Sequence, residues 1–573
     1  MRVFINKDTL RKLPFSLADI AVILGVFVLL VVVAKVGAGA FVPFQPSKTH
    51  ISISLNPRNL PYYAARSTLR MFIALGFSFL FTMVYGYIAA HNRRAEKILI
   101  PLLDILQSVP VLGFLSITVT GFIALFSGSL IGLEAASIFA IFTSQVWNMT
   151  FFFYHSLKTL PNELVEASTL YRLTRWQRFT RLELPYSIIG LVWNAMMSFG
   201  GGWFFVTASE AISVLNHTYV LPGIGSYLAI AVKNQNMHAL AYALLTMAIV
   251  IVIVDQLFWR PLIAWSDKFR LEQSASADVP NSWVFNLLQA SKISRLAGKI
   301  ATVIDRFINR LFPRFDPVYK ENDRPKQKKD WLFNSIMFVV IGVALVILIR
   351  FILESVGLAE VGKTIYLGFV TFGRVIVLLI FATIIWTPIG VAIGFHPKLA
   401  RILQPVVQFL ASFPANFLFP FATLFFIKEG ISINWGGILL MALGAQWYIL
   451  FNTIAGAMSI PTELREMASN LGIRGWKLWK SLIIPGIFSS WVTGGITAAG
   501  GAWNASIIAE VVNWGHSRLV ATGLGAYIAQ ATLTGAWPKI ALGVGMMSIF
   551  VVGLNQIFWR RLYKLSETKF RLD

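Results

Sequence analysis

Apolar stretches long enough to cross a bilayer recur about twelve times in this chain, and few architectures can accommodate that. A span needs ~20 mostly apolar residues. Such runs lie near 18–40, 67–90, 98–127, 133–155, 186–207 and 238–259, then again near 333–353, 365–394, 402–428, 432–455, 486–509 and 538–559. The composition agrees with membrane residence: 56% of the 573 residues are apolar and 13% are charged, about half the charged share of a soluble domain. The expectation is an all-α polytopic membrane protein of about twelve transmembrane helices.

The two series of spans are two copies of one unit, because fixed-period self-similarity marks a repeat. TLPNELVEASTLYRLTRW (159–176) lies over SIPTELREMASNLGIRGW (459–476). A shift of 300 carries Glu163 onto Glu463, Glu166 onto Glu466, Trp176 onto Trp476 and Pro185 onto Pro485. It also carries Gly200-Gly201 onto Gly500-Gly501, Trp203 onto Trp503, Glu210 onto Glu510 and GIGSY (223–227) onto GLGAY (523–527). Near the front of each copy the shift is 304, matching Pro101 and Pro110 with Pro405 and Pro414. The expected organisation is a first unit over 1–266, a linker over 267–330 and a second unit over 331–573. About six spans per unit leave both in one orientation, related by an axis along the membrane normal.

A formal charge of +23 would suggest nucleic acid in a soluble protein. Here the basic residues cluster in alternate loops: Lys7, Arg11 and Lys12; Arg93, Arg94 and Lys97; Arg172, Arg175, Arg178 and Arg181; and the 260–330 region. That is the positive-inside bias of a membrane protein with a cytoplasmic N-terminus, and no nucleic-acid motif accompanies it. The basic start, apolar run and AGA (38–40) resemble a secretory signal. The run is long for a signal core and the second unit has a matching span at 333–353, so a retained first span is expected. No cysteine is present, which excludes disulfides and thiolate metal sites. The linker stretch 283–312 spaces apolar residues at three- and four-residue steps with basic residues opposite. It reads as an amphipathic helix lying either on an anionic leaflet or on the protein itself.

One polar stretch interrupts each unit after its fourth span: PNELVEASTLYRLTRWQRFTRLELP (161–185) and its counterpart at 461–485. Leu164, Ala167, Leu170 and Tyr171 fall at helical spacing after a leading proline, which predicts a short surface helix with one apolar and one charged face. Such a stripe is suited to docking in a groove of a cytoplasmic partner. The plainer possibility is a solvated loop, against which stands the retention of the same pattern in both copies.

The pattern E-A-A, three residues, G, nine residues, a branched apolar residue, one more, then L-P resembles the coupling-loop signature of permease subunits of type I ABC importers. In the first copy Glu166-Ala167-Ser168, Leu182 and Leu184-Pro185 fit, with Arg172 where glycine is expected; in the second, Glu466-Met467-Ala468, Gly472, Leu482 and Pro485 fit, with Ile484 replacing leucine. The resemblance implies that Glu163, Glu166, Ala167, Ser168 and Pro185, with Glu463, Glu466, Ala468, Gly472 and Pro485, couple the chain to two separate ATP-binding subunits. It implies an extracytoplasmic solute-binding protein, a prokaryotic inner-membrane location with both termini cytoplasmic, and no cofactor in this chain, ATP and magnesium residing on the partner. It raises the question whether the two loops couple equally.

GGAWNASIIAEVV (500–512) followed by GLGAYI (523–528) resembles the nitrate, sulfonate, taurine and bicarbonate group of these permeases. That resemblance implies a small anionic solute and a pathway lined by the fifth span of each copy. The candidate path residues are Gly201, Trp203, Glu210, Gly501, Trp503, Asn504 and Glu510, with both carboxylates read as gates or anchors because they would repel an anion. The tryptophans read equally well as packing or as part of an interfacial belt. GLAEVGKT (357–364) satisfies a phosphate-loop pattern but joins two spans and lacks a soluble nucleotide domain around it. A secondary carrier of two parallel halves would also show twelve spans, yet it would have no need for a duplicated surface helix. An enzyme would need clustered catalytic groups or metal ligands, and the seven histidines are scattered without i, i+4 pairs.

Overall fold

The computed structural model describes residues 17–38, 52–214, 217–269, 282–291, 351–515 and 517–569, with isolated positions between 335 and 350. The expected span at 333–353 and most of the linker lie outside these residues.

The first unit opens with α1 (Leu17–Ala38) and α2 (Leu60–His91). Helix α1 is tied down at both ends: Ser291 donates to Asp19 Oδ1 at 2.7 Å, and Arg66 Nη1 donates to the Val36 carbonyl at 3.0 Å. Asn92 ends α2 and caps α3 (Arg93–Ser108), accepting from the Arg94 and Ala95 amides at 3.0 and 3.2 Å, so two orphan donors of the new helix are satisfied at the turn itself. Then follow α4 (Val111–Leu125), α5 (Ile131–Lys158), α6 (Asn162–Leu170) and α7 (Arg175–Ser209). A hairpin, β1 (Ala211–Val214) with β2 (His217–Val220), leads to α8 (Ile224–Lys233) and α9 (Met237–Phe269). A short α10 (Trp283–Ala290) packs on α1 and on the end of α9, so this part of the linker helix rests on protein.

The second unit repeats the order: α11 (Leu358–Gly394), α12 (Pro397–Ser412), α13 (Phe419–Glu429), α14 (Ile433–Ser459), α15 (Thr462–Asn470) and α16 (Gly475–Ala509). The hairpin β3 (Val511–Trp514) with β4 (Ser517–Val520), α17 (Leu524–Thr534) and α18 (Trp537–Ser566) complete it.

Among the described residues nine helices are long and apolar enough to span a membrane, and each matches an expected span. The expected spans 98–127 and 402–428 differ, because each is broken in the middle. Proline lacks an amide hydrogen and pushes its predecessor out of the helical region. Val109 before Pro110 and Phe413 before Pro414 are accordingly extended, with ψ of 122° and 124°, and α3 and α4 meet at 91°. Pro185 and Pro485 break nothing. Ahead of each the helix widens by one residue, the Leu184 amide bonding to the Phe179 carbonyl and the Ile484 amide to the Trp479 carbonyl, a π-turn that accommodates the ring. The expected polar loops of 161–185 and 461–485 are therefore shorter in the structure: from Arg175 and Gly475 the chain already belongs to the fifth span.

The broken segments exchange between units. Helix α4 carries Val111, Leu112, Leu115 and Val119 into a core built mainly from the second unit, around Trp503, Leu524 and Met547. Phe417, just after the Pro414 break, sits in the first unit's core with Phe199, Trp203 and Trp259. Each unit's interior is closed by a piece of the other.

Candidate functional site

Helices α6 and α15 stand at the same end of their units, each following the fourth span. Ser168 and Ala468 are each 5% exposed and face the body of the protein, and Ala167 is half-buried. Glu163, Glu166, Glu463 and Glu466 are exposed. The apolar tips point outward: Leu170 is 83% and Tyr171 80% exposed, Leu471 67% and Met467 54%. Leu164 is half-buried, so the expected stripe divides, its first half packed on the protein and its last residues exposed.

The helices close identically. The Arg172 and Leu173 amides bond to the Thr169 and Ser168 carbonyls, each at 3.0 Å; those of Gly472 and Ile473 bond to Ser469 and Ala468 at 3.0 and 2.9 Å. Both turns need a left-handed residue, and Arg172 adopts φ 48° where Gly472 adopts 65°. The missing glycine thus leaves the geometry intact but costs conformational energy that glycine avoids. Arg172→Gly is expected to stabilise the protein by about 1 kcal/mol and Gly472→Arg to destabilise it by about as much, read as opposite shifts in the detergent unfolding midpoint.

Behind these helices the copies part. In the first, buried Glu183 lies 2.9 Å from His91 Nε2 and 2.8 Å from Arg178 Nε. The matching positions in the second are Phe395, Ile483 and Leu478, which pack together. All three residues change class together, as burial of a charge without partners would not be tolerated.

At the opposite end, beside the hairpins, Glu210 and Glu510 are fully buried. Each carboxylate follows its fifth span and holds the start of the next helix: Glu210 Oε2 accepts from the Gly225 amide at 2.7 Å and Glu510 Oε2 from the Ala526 amide at 2.9 Å. Ser67 donates to Glu210 at 2.5 Å and Thr371 to Glu510 at 2.8 Å, while Arg70 and Arg374 reach the same oxygens at 2.5 and 2.7 Å. In the first copy Arg66 and Glu134 join the knot; Arg66 pairs with Glu134, and Arg70 Nε reaches Glu134 Oε2 at 2.5 Å. In the second, Val370 and Asn434 take those places, and Asn434 accepts from Arg374 Nη2 at 2.9 Å. One knot holds two positive and two negative groups, the other one of each. Both carboxylates are anchors within closed networks. The sequence singles out the carboxylates but not their partners, although Arg70 and Arg374 are related by the same 304-residue shift as the prolines.

The fifth spans meet the other unit directly. Asn416 Nδ2 donates to the Phe204 carbonyl at 3.4 Å and to Thr207 Oγ1, and Gln408 Nε2 approaches Met196 Sδ at 3.0 Å. Reciprocally, Asn504 Oδ1 accepts from the Val111 amide at 3.1 Å, while its Nδ2 donates to the Gly500 carbonyl at 3.2 Å. Trp203 and Trp503, each 1% exposed, lie in the cores of their own units, against Phe199 and against Phe372 and Phe550. Gly201 and Gly501 instead share one neighbour. A Cβ on Gly201 would stand 3.3 Å from the Tyr448 hydroxyl oxygen, and one on Gly501 3.7 Å from Tyr448 Cε2. GLAEVGKT forms no phosphate loop: Gly357 caps α11, and Leu358 onward is helical.

A family model for the binding-protein-dependent transport system inner membrane component matches the chain twice, over 82–258 and 385–571. A putative ABC transporter permease protein of Methanocaldococcus jannaschii is 25% identical over 214 residues, covering 37% of this chain and 75% of that protein. The putative aliphatic sulfonates transport permease protein SsuC of Escherichia coli is 34% identical over 114 residues, 20% of this chain and 41% of its own length. The bicarbonate transport system permease protein CmpB of Synechococcus elongatus is 29% identical over 131 residues, 23% and 46%. The chain spans less than half the length of the latter two.

Proposed function

The chain belongs to the family of binding-protein-dependent transport system inner membrane components, multi-pass permeases of ABC transporters, and from that premise we propose that it is the complete translocation pathway of an ATP-driven importer. Two permease units in one polypeptide move a small anionic solute into the cytoplasm by alternating access. The reading is carried by the paired exposed tips, Leu170 with Tyr171 and Leu471 with Met467, presented by helices with the same closing geometry at one end of both units. Two ATP-binding subunits each receive one tip, and their closure on ATP moves the units against each other. The tip end and both termini face the cytoplasm, and the hairpin end receives a solute-binding protein. The names of the relatives, sulfonate and bicarbonate permeases, support an oxyanion as solute.

The test is reconstitution of the chain with its co-expressed ATPase and binding protein. Uptake of labelled methanesulfonate, taurine or bicarbonate should require ATP and the binding protein together. Uptake driven by an ion gradient in vesicles containing the chain alone would overturn the reading.

A further inference from the structure

Among the described residues Tyr448 is the side chain that lies against both Gly201 and Gly501 of the two fifth spans. It belongs to the second unit, yet its hydroxyl reaches Gly201 of the first, and its counterpart 300 residues earlier is the much shorter Asn148. Eleven residues separate Tyr448 from the end of α14 at Ser459, about 16 Å at 1.5 Å per residue, so with that end at the edge of a ~30 Å hydrocarbon core the ring sits near its middle. The ring packs against the second unit's core. Among the described residues the hydroxyl makes no hydrogen bond, whereas the Asn504 amide is engaged at both ends.

The helix segments that carry Tyr448, Asn148 and the two glycine pairs are electrically neutral. Residues 135–157, 184–209, 433–459 and 484–509 contain no Asp, Glu, Lys or Arg. The two buried charged knots beside the hairpins balance internally, so neither offers an unpaired cation to an anion. A neutral donor is what such segments can offer an anion, and a hydroxyl hydrogen bond to a charged oxygen is roughly twice as strong as one to a neutral acceptor.

We propose that the Tyr448 hydroxyl is the donor that meets the negatively charged oxygen of the solute midway along the path, handing it between Gly501 and Gly201. This rests on the permease reading. The single donor, supplied by one unit only, makes a weak and transient site, as a translocation path requires.

The test uses the reconstituted complex and Tyr448→Phe, which keeps the packed ring and removes the donor. Methanesulfonate and bicarbonate are the probes, and the readout is solute moved per ATP hydrolysed. The variant is expected to lower that ratio about tenfold, with an unchanged half-saturation concentration because the binding protein captures the solute. An unchanged ratio would overturn the assignment, and so would a parallel fall in hydrolysis and uptake, which would make the hydroxyl structural. Failure of the wild-type complex to show ATP-dependent uptake of either probe would instead overturn the permease reading, and this inference with it.

Discussion

Arg66→Val and Glu134→Asn, each made alone, are expected to destabilise the protein by about 3 kcal/mol or more, and made together to cost far less than their sum. Removing one partner of a buried ion pair leaves an uncompensated charge, at about 3 to 5 kcal/mol. Arg66 and Glu134 are 3% and 6% exposed, so water cannot compensate either loss. After the double change, Arg70 and Glu210 remain with an asparagine beside them, the arrangement of Arg374, Glu510 and Asn434 in the second unit. The molecule thus contains its own template for the tolerated product. Arg374→Ala has no such escape, because Glu510 would keep only the Thr371 hydroxyl and the Ala526 amide. Unfolding midpoints of the four proteins, closed as a double-mutant cycle, check this; additive single costs would refute the shared-charge account.

Leu170→Asp together with Leu471→Asp is expected to abolish retention of the ATP-binding subunits and ATP-driven uptake, while the permease itself folds as before. Burying a leucine contributes about 1.5 to 3 kcal/mol, so losing both, with a charge now to be desolvated in each groove, weakens attachment by a factor on the order of 10² to 10⁴. Both side chains are exposed in the free chain, and substitutions at such positions usually change stability by less than about 0.5 kcal/mol. Glu166→Lys with Glu466→Lys should weaken the same attachment by reversing exposed charges on both levers. Ser168→Leu serves as the contrast: Ser168 faces the body at 5% exposure, so overpacking there should lower the unfolding midpoint. Co-purified ATPase per permease and the midpoint, measured on each variant, separate the two kinds of damage. Full retention of the ATPase by the double aspartate variant would remove the lever from the account.

Sequence alone determined the membrane class, the duplication, the position of the short surface helices and the places where proline could break a span, since hydropathy, repeat shift and proline chemistry are all local to the chain. It also singled out Glu210, Glu510 and the glycine pairs. Tertiary structure decided the rest: that Pro110 and Pro414 break their spans while Pro185 and Pro485 do not, that each broken segment completes the other unit's core, and that Trp203 and Trp503 turn inward while Tyr448 lies between Gly201 and Gly501. The reason lies in the solvent. A helix surface facing lipid is as apolar as one facing a neighbouring helix, so the pattern of apolar residues along a span carries no mark of which side meets lipid, core or pathway, and only packing assigns it.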